Sequence, residues 1–179
     1  MNLLIVGHAR HGKTEAAKIL KRERGLQFKD SSKAAAEIFL YDKLKEKYGY
    51  KDFEECYEDR VNHREEWFNN ICLFNKEDPA RLAKEIMKDA NIYCGMRSNR
   101  EIQKCLEDNV FDHIVEVYNP HLPKESPESF DIDFNTLPQR YTIYNDSDLD
   151  TLRLRLMELY MKLNIIELQK KVTKESIEF

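Results

Sequence analysis

The chain has 179 residues, a size that suits one domain with a substantial core. Hydrophobic residues make up 41% and charged residues 35% of the sequence, and the formal net charge is −4, so no overall basic field attracts polymeric nucleic acid. No apolar run approaches the roughly twenty residues that span a membrane. The four cysteines include no C-x-x-C pair, which argues against a zinc site. We therefore expect a cytoplasmic protein whose cysteines are reduced.

The first predicted element is a buried strand at about residues 2–6, followed by a tight loop and a helix over about 13–24. The loop matches the pattern G-x-x-x-x-G-K-[ST] with Gly7, His8, Ala9, Arg10, His11, Gly12, Lys13 and Thr14. Its glycines let backbone N–H groups point inward, and the helix start adds a positive dipole end. Lys13 is predicted to reach the β- and γ-phosphates and the Thr14 hydroxyl to bind Mg²⁺, while the two histidines contribute mainly their backbone. The motif predicts a nucleoside triphosphate site.

Beyond this loop, short apolar runs alternate with helical patterns, as in an α/β fold. Further strands are expected at about residues 26–28, 91–95, 111–118 and 141–144. Helices are expected to begin near residues 33, 62, 78 and 98, capped in the first two cases by Ser31 or Ser32 and by Asn62. A last helix, capped by Asp146 or Ser147, should end near residue 162. Residues 49–60 are expected to form a loop with a short helical turn.

Two segments have no regular periodicity. Residues 119–140 contain four prolines, and a loop this long is either functional, here as a lid over the nucleotide, or a surface excursion; the sequence leaves both open. The charged, amphipathic tail at 165–179 has no assigned role. The predicted organisation is a kinase domain over residues 1–164, with a lid-like loop at 119–140.

Candidate site residues are expected at the carboxyl ends of strands, where open α/β sheets bind ligands. Asp30 could hold Mg²⁺ or accept a proton from an attacking hydroxyl; alternatively, it is the N-cap of the next helix. Arg97 follows the third strand and could bind a phosphate through two hydrogen bonds. Arg60 and Arg64 could bind an acceptor phosphate, and Trp67 could stack on a base, although tryptophan is more often a core residue.

The predicted strands lack the terminal acid that organises Mg²⁺ in many P-loop enzymes. The third strand ends in Cys94 and Gly95, and the fourth ends in Tyr118 and Asn119. Motifs that read guanine are also missing from the sequence. These features argue against motor ATPases and GTPases and favour a small-molecule kinase.

Several segments together resemble bacteriophage deoxynucleoside monophosphate kinase-like proteins of the thymidylate-kinase-like type. They are the glycine-rich loop at residues 7–14 (the P-loop), residues 30–37, 60–64 with Trp67 and Phe68, 78–82, 95–98, and Ile143 with Asn145. The resemblance covers about residues 1–155, and only the P-loop is highly specific. It implies a P-loop NTPase fold with a central parallel five-stranded sheet and helices on both faces, using ATP and Mg²⁺. It also implies phosphate contacts for Lys13 and Arg97 and a position near the adenine for Asn145. Ser31, next to Asp30, is a further candidate substrate-binding residue.

A related phage branch, whose members phosphorylate 5-hydroxymethyluracil within viral DNA, resembles the chain as well. A phosphate acceptor needs arginine clamps, which Arg60, Arg64 and Arg97 offer, whereas an alcohol acceptor benefits from a carboxylate such as Asp30. The mildly acidic chain favours a free nucleotide over modified DNA as the substrate. A third hypothesis is an ATP-binding switch without kinase activity. An oligomer is compatible with the sequence, although no segment of it marks an interface.

Overall fold

Five parallel strands form the centre of the structure, a computed structural model that describes residues 1–138 and 140–177. The strands are β1 (Leu3–Val6), β2 (Phe28–Asp30), β3 (Ile92–Cys94), β4 (His113–Tyr118) and β5 (Arg140–Tyr144). Their order across the sheet is β2-β3-β1-β4-β5, and every neighbouring pair is parallel. The strand that leads into the glycine loop is therefore central, and all carboxyl ends lie along one edge. The predicted parallel five-stranded sheet is confirmed.

Helices cover both faces of this sheet. They are α1 (Lys13–Arg24), α2 (Ser31–Ala35), α3 (Tyr41–Tyr48), α4 (Phe53–Asp59), α5 (Arg64–Phe74), α6 (Arg81–Ile86), α7 (Asn99–Glu107) and α8 (Leu149–Ile177). Because side chains alternate along a strand, Leu3 and Ile5 pack with α1 and α8, while Leu4 and Val6 pack with α2, α6 and α7. Crossover helices thus bury β1 along its whole length.

The first helix matches the prediction and the second differs from it. α1 ends at Arg24, and Gly25 (φ 70°) closes it with an N–H bond to the Lys21 carbonyl. The helix predicted from residue 33 starts at Ser31 and contains a π-helical turn at Ala36–Leu40, between α2 and α3. Its N-cap is Asp30, because Oδ1 accepts hydrogen bonds from the backbone N–H groups of Ser32 (3.0 Å) and Lys33 (3.4 Å). The cap predicted at Ser31 or Ser32 is therefore wrong.

A separate apolar cluster lies beside the sheet domain. It consists of Ala36, Leu40, Leu44, Tyr50, Cys56 and Trp67. The helical turn expected within 49–60 is α4, whose cap Asp52 accepts a hydrogen bond from the Glu55 N–H (2.9 Å). The cap predicted at Asn62 is wrong, since α5 follows His63 and the Asn62 side chain donates to Asp59 (2.6 Å).

The last helix is longer than predicted at its carboxyl end. It begins after Asp148, whose Oδ1 accepts from the Thr151 N–H (2.8 Å), and it continues through Ile177. The tail at 165–179 is thus helical up to residue 177; residues 178–179, and position 139 of the lid-like loop, lie outside the described residues. Within the described part of the chain, no helix combines the length and apolar character needed to cross a membrane.

Candidate active site

The glycine loop joins β1 to α1 in a conformation that only glycine satisfies at two positions. Gly7 and Gly12 have φ angles of 145° and 103°. A Cβ atom on Gly7 would overlap the Val117 carbonyl oxygen, and one on Gly12 would overlap the amide nitrogen of Asn145. The loop is therefore held tightly against the ends of β4 and β5, with its N–H groups at the start of α1.

Lys13 lies across this loop. Its ammonium group donates a hydrogen bond to the His8 carbonyl at 2.7 Å. Burial lowers the pKa of Lys13 and Arg97 lowers it further, whereas Cys94, Glu125 and Asp30 act in the opposite direction. The charges of Arg97, Asp30 and Glu125 therefore all act on the Lys13 ammonium.

Thr14 and Asp30 are the predicted metal ligands. Thr14 is exposed in the first turn of α1. Among the described residues, no group of three or more His, Cys, Asp or Glu side chains could hold a metal by itself. The donors present fit Mg²⁺ bound through one or two protein oxygens, water and nucleotide phosphates, which is the usual coordination of that ion in phosphoryl-transfer sites.

The two loop histidines contribute their rings as well as their backbone, which corrects the sequence-based expectation. His11 is fully buried; its Nδ1 accepts from the Asn119 N–H (3.1 Å), and its Nε2 donates to the Pro123 carbonyl (3.3 Å). The His8 Nδ1 accepts from the Glu125 N–H (3.1 Å). Burial lowers the pKa of His8, consistent with this accepting nitrogen. Both rings thus tie the segment after β4 to the glycine loop.

A carboxylate of that same segment lies on the glycine loop. Glu125 accepts a hydrogen bond from the Ala9 N–H (2.6 Å) through Oε2, and its Oε1 pairs with Arg97. Burial raises the pKa of Glu125, but the hydrogen bond and charge of Arg97 outweigh that effect, so the pKa lies below its usual value. The Glu125 carboxylate thus accepts from two donors, a loop N–H and an arginine, of the kind that bind phosphate.

The segment at 119–138 is packed against the body of the protein. Phe130, Ile132 and Leu137 are buried in the cluster on the Leu4 face of the sheet. Asp131 accepts from the Asn99 N–H (2.6 Å) at the start of α7 and donates its own N–H to the Arg97 carbonyl (3.2 Å). These contacts with the core and with α7 are more extensive than those expected of a surface excursion. That the segment moves as a lid stays a prediction.

Asp30 and Ser31 stand next to the end of β3. Asp30 is opposite Cys94 in the parallel register, and the Ser31 hydroxyl donates a long hydrogen bond to the Gly95 carbonyl (3.5 Å). The capping interaction engages only Oδ1 of Asp30; within the described residues, its Oδ2 makes no hydrogen bond. The alternative reading of Asp30 as an N-cap is therefore correct, and it leaves one carboxylate oxygen for chemistry.

The arginines and the tryptophan of α4 and α5 differ in their placement. The Arg60 guanidinium lies 4.2 Å from the centre of the Tyr57 ring and donates to the Tyr57 carbonyl (3.1 Å). Arg64 is exposed in the first turn of α5. Trp67 is only 4% exposed and packs in the separate apolar cluster. The structure therefore places the indole in the core, and this placement corrects the prediction that Trp67 stacks on a base.

Two residues near Asp30 were missed by the sequence analysis. The Lys33 ammonium lies 5.7 Å from the centre of the Tyr57 ring. The Lys33 backbone N–H in turn donates to Asp30 Oδ1 (3.4 Å), and burial, together with the Asp30 charge, raises the pKa of Tyr57. Tyr57 thus stands among Asp30, Lys33 and Arg60. Because α4 and β2 are distant in sequence, no local pattern could have indicated this grouping.

Asn145 contacts the glycine loop directly. Its Nδ2 donates to the His11 carbonyl (3.1 Å), and its backbone N–H donates to the Tyr118 carbonyl (2.8 Å). The side chain therefore supports the shape of the loop, and the position near adenine implied by the resemblance stays a prediction.

The sheet order and the glycine loop at the carboxyl end of the central strand define an α/β protein of the P-loop type. No protein-family model and no curated protein matches the sequence. Similar solved structures include a gluconokinase from Sinorhizobium meliloti 1021, with a TM-score of 0.48 and 10% identity over 92% of this chain and 95% of that chain. Another is a sugar kinase from Janibacter sp. HTCC2649, with a TM-score of 0.43 and 13% identity over 88% and 92% of the two chains. Similarities at this level assign no substrate.

Proposed function

We propose that the chain is an ATP-dependent P-loop kinase that transfers the γ-phosphate of ATP to a deoxynucleoside monophosphate. The observation that carries this proposal is the grouping of Lys13, Asp30 and Arg97 around the glycine loop: Lys13 donates to the His8 carbonyl, Arg97 pairs with the carboxylate that accepts from the Ala9 N–H, and Asp30 ends β2 at the same edge of the sheet. Phosphoryl transfer depends on positioning and charge stabilisation, for which such a group is suited.

Each of these residues has a role in the proposed reaction. The N–H groups of residues 7–14 hold the nucleotide phosphates, and Lys13 neutralises charge on the transferring group. Thr14 and Asp30 would hold Mg²⁺, which would supply positive charge at the phosphate oxygens. Arg97 exchanges Glu125 for a phosphate oxygen. Its guanidinium is already directed towards the loop by that ion pair.

The acceptor is assigned to the surface formed by β2, α2 and α4. Lys33 and Arg60 present two cations around Tyr57, with Ser31 and Asp30 at the edge of the sheet. Positive groups at this place favour an acceptor that carries phosphate, and the Tyr57 ring offers a surface for a base. Arg64 is a further exposed cation, in the first turn of α5.

A second candidate acceptor is the hydroxymethyl group of 5-hydroxymethyluracil in DNA. It is favoured by Asp30 Oδ2, which makes no hydrogen bond within the described part of the chain. In that reaction the alcohol oxygen attacks the γ-phosphorus, its proton passes to Oδ2, and ADP leaves.

The test is transfer of label from γ-labelled ATP, with Mg²⁺, to a panel of deoxynucleoside monophosphates and to DNA containing 5-hydroxymethyluracil. Label in a nucleoside diphosphate supports the proposal and identifies the base. Label in the DNA establishes the second candidate. Bound ATP without transfer to either would contradict both candidates and indicate an ATP-dependent switch.

The variant Asp30→Asn separates the two acceptors, because Asn remains a good N-cap and the helix start is retained. Transfer to an alcohol should be lost, whereas transfer to a phosphate should only weaken. Equal losses on both acceptors would assign Asp30 to Mg²⁺ alone.

A further inference from the structure

A single carboxylate occupies donors from two different loops of the proposed site. Glu125 Oε2 accepts a hydrogen bond from the Ala9 N–H of the glycine loop at 2.6 Å, and its Oε1 pairs with the Arg97 guanidinium. Arg97 follows β3, which lies in the sheet between β1, the strand that leads into the glycine loop, and β2, the strand that ends at Asp30. One side chain therefore bridges the glycine loop and the loop that stands between it and Asp30.

The segment that carries Glu125 is tied to both of these loops. We call residues 119–131 the strap. Three of its backbone groups form hydrogen bonds with the two histidine rings of the glycine loop. On the other side, the Ser129 carbonyl accepts from the Arg97 guanidinium at 3.4 Å, and the Asp131 N–H donates to the Arg97 carbonyl at 3.2 Å. The strap therefore spans the gap between the two loops.

The contacts of Glu125 are of a kind that phosphate can replace. The carboxylate accepts from one backbone N–H and one guanidinium, and phosphate oxygens accept from the same two kinds of donor. The ion pair is partly exposed, since the side chains of Arg97 and Glu125 are 42% and 19% accessible to solvent. Ion pairs that are exposed in this way contribute little net stability, so the binding of a ligand can break this one.

We propose that the strap couples the two substrates of the kinase: the phosphates of ATP displace Glu125 from Ala9, and the same displacement frees Arg97 for the phosphate of the acceptor. This coupling rests on the proposed function, which supplies ATP and a phosphate-bearing acceptor as the two ligands. Whichever substrate binds first breaks the contacts that Glu125 makes with both loops. The second substrate then finds its donor free, so each substrate increases the affinity for the other by the same factor.

The first test needs no knowledge of the acceptor. Phenylglyoxal modifies free guanidinium groups, and mass spectrometry of peptides measures the rate at Arg97 with and without a non-hydrolysable ATP analogue. We expect the analogue to increase this rate about two- to fivefold, because the pair with Glu125 leaves only part of the Arg97 population free. Arg64, exposed in the first turn of α5, is the internal reference and should react at the same rate in both samples.

The other results of this experiment overturn the coupling. An unchanged rate at saturating analogue would mean that ATP binds without moving Glu125 from Arg97, and a lower rate would mean that Arg97 itself binds the phosphates of ATP. A chain that does not bind the analogue would overturn the proposed function as well. Transfer of label to a monophosphate with an unchanged Arg97 rate would retain the kinase and remove the coupling. A raised Arg97 rate without transfer to any acceptor would retain the link between ATP and the strap and contradict the kinase.

The variant Glu125→Gln tests the residue that carries the coupling. Arg97 in this variant should react quickly without nucleotide, and the analogue should change its rate by less than about twofold, because a neutral amide pairs weakly with a guanidinium. The matched control is Glu128→Gln, which removes the charge of an exposed glutamate of the strap and should respond to the analogue as the wild type does. A full response of Glu125→Gln would overturn the role of Glu125.

The coupling also predicts an effect on affinity. A deoxynucleoside monophosphate that accepts phosphate should lower the Kd of the ATP analogue about two- to fivefold in the wild type and leave it unchanged in Glu125→Gln. Fluorescence titration of a labelled analogue measures both constants. Equal effects of the monophosphate in the two proteins would overturn the coupling through Glu125.

Discussion

In the proposed nucleotide site, Glu125 occupies the donors that we assign to a phosphate oxygen of ATP. Its carboxylate accepts from the Ala9 N–H and pairs with Arg97, and the Lys13 charge contributes to its lowered pKa. A nucleotide that uses the same donors must displace this side chain or share the donors with it. The affinity for ATP therefore includes the cost of breaking the Glu125 contacts.

We predict that Glu125→Gln binds ATP about three- to tenfold more tightly, since a neutral amide pairs more weakly with Arg97 and does not repel phosphate. Binding of a fluorescent ATP analogue measures the effect. Glu128→Gln is the matched control, because Glu128 is an exposed glutamate of the same segment. Unchanged or weaker binding by Glu125→Gln would mean that the carboxylate supports the nucleotide.

We predict that Lys13→Ala lowers the turnover number at least about a hundredfold, because the ammonium neutralises charge that develops on the transferring group. The measurement is phosphoryl transfer at saturating ATP. Lys18→Ala is the control on the same helix, since that ammonium is exposed and pairs with Glu15 across one turn. Near-normal turnover of Lys13→Ala, with the control also active, would refute the assignment of Lys13.

Among the elements, those with strong local signals were predictable from the sequence. Neighbouring residues alone are enough to recognise the apolar run of β1, the glycine loop and the end of α1 at Gly25. The sequence-based prediction ended α8 too early, at about residue 162. The apolar residues of this helix lie on two faces, which hides the usual helical pattern of one apolar side. The position of Glu125 on the glycine loop depends on residues more than a hundred positions apart, which no local pattern encodes.

The contact between β4 and α8 gives a prediction for pH. Burial lowers the pKa of His113, and Lys170 adds to this, while Glu167 and Asp112 oppose it. The His113 ring therefore binds a proton more readily in the unfolded chain than in the folded one. Its contribution to the free energy of unfolding is fully present above the unfolded pKa of about 6.5 and is lost as the pH falls below that value. The midpoint temperature of thermal unfolding should therefore fall between pH 7.5 and pH 5.5, and the fall should begin near pH ~6.5.

His113→Gln should flatten this dependence on pH. Since burial also lowers the pKa of His8, a shallower slope remains in the variant. An unchanged slope would remove His113 from the explanation.

At the scale of the whole molecule, the boundary predicted at residue 164 can be tested by truncation. Removing residues 165–179 deletes Ile166 from the core and leaves the His113 Nε2 without its Glu167 partner; the Nδ1 of this ring already makes no hydrogen bond in the described structure. We expect the free energy of unfolding to fall by about 1–3 kcal/mol from the unpaired buried nitrogen alone. Urea unfolding measures this loss. A truncated chain as stable as the full one would support a domain that ends at 164.

The π-helical turn at Ala36–Leu40 connects two parts of the molecule that pack separately. Ala34 and Ala35 before it belong to the sheet core, whereas Leu40 and Leu44 after it belong to the cluster around Trp67. A π-helical turn contains one residue more than an α-helical turn does, so the extra residue is accommodated without a change in the direction that α3 faces. A one-residue deletion here would convert the turn to an α-helical one and leave Leu40 and Leu44 facing their partners. Homologues of this chain should therefore tolerate the loss of one residue in this turn better than an insertion or deletion elsewhere between α2 and α3.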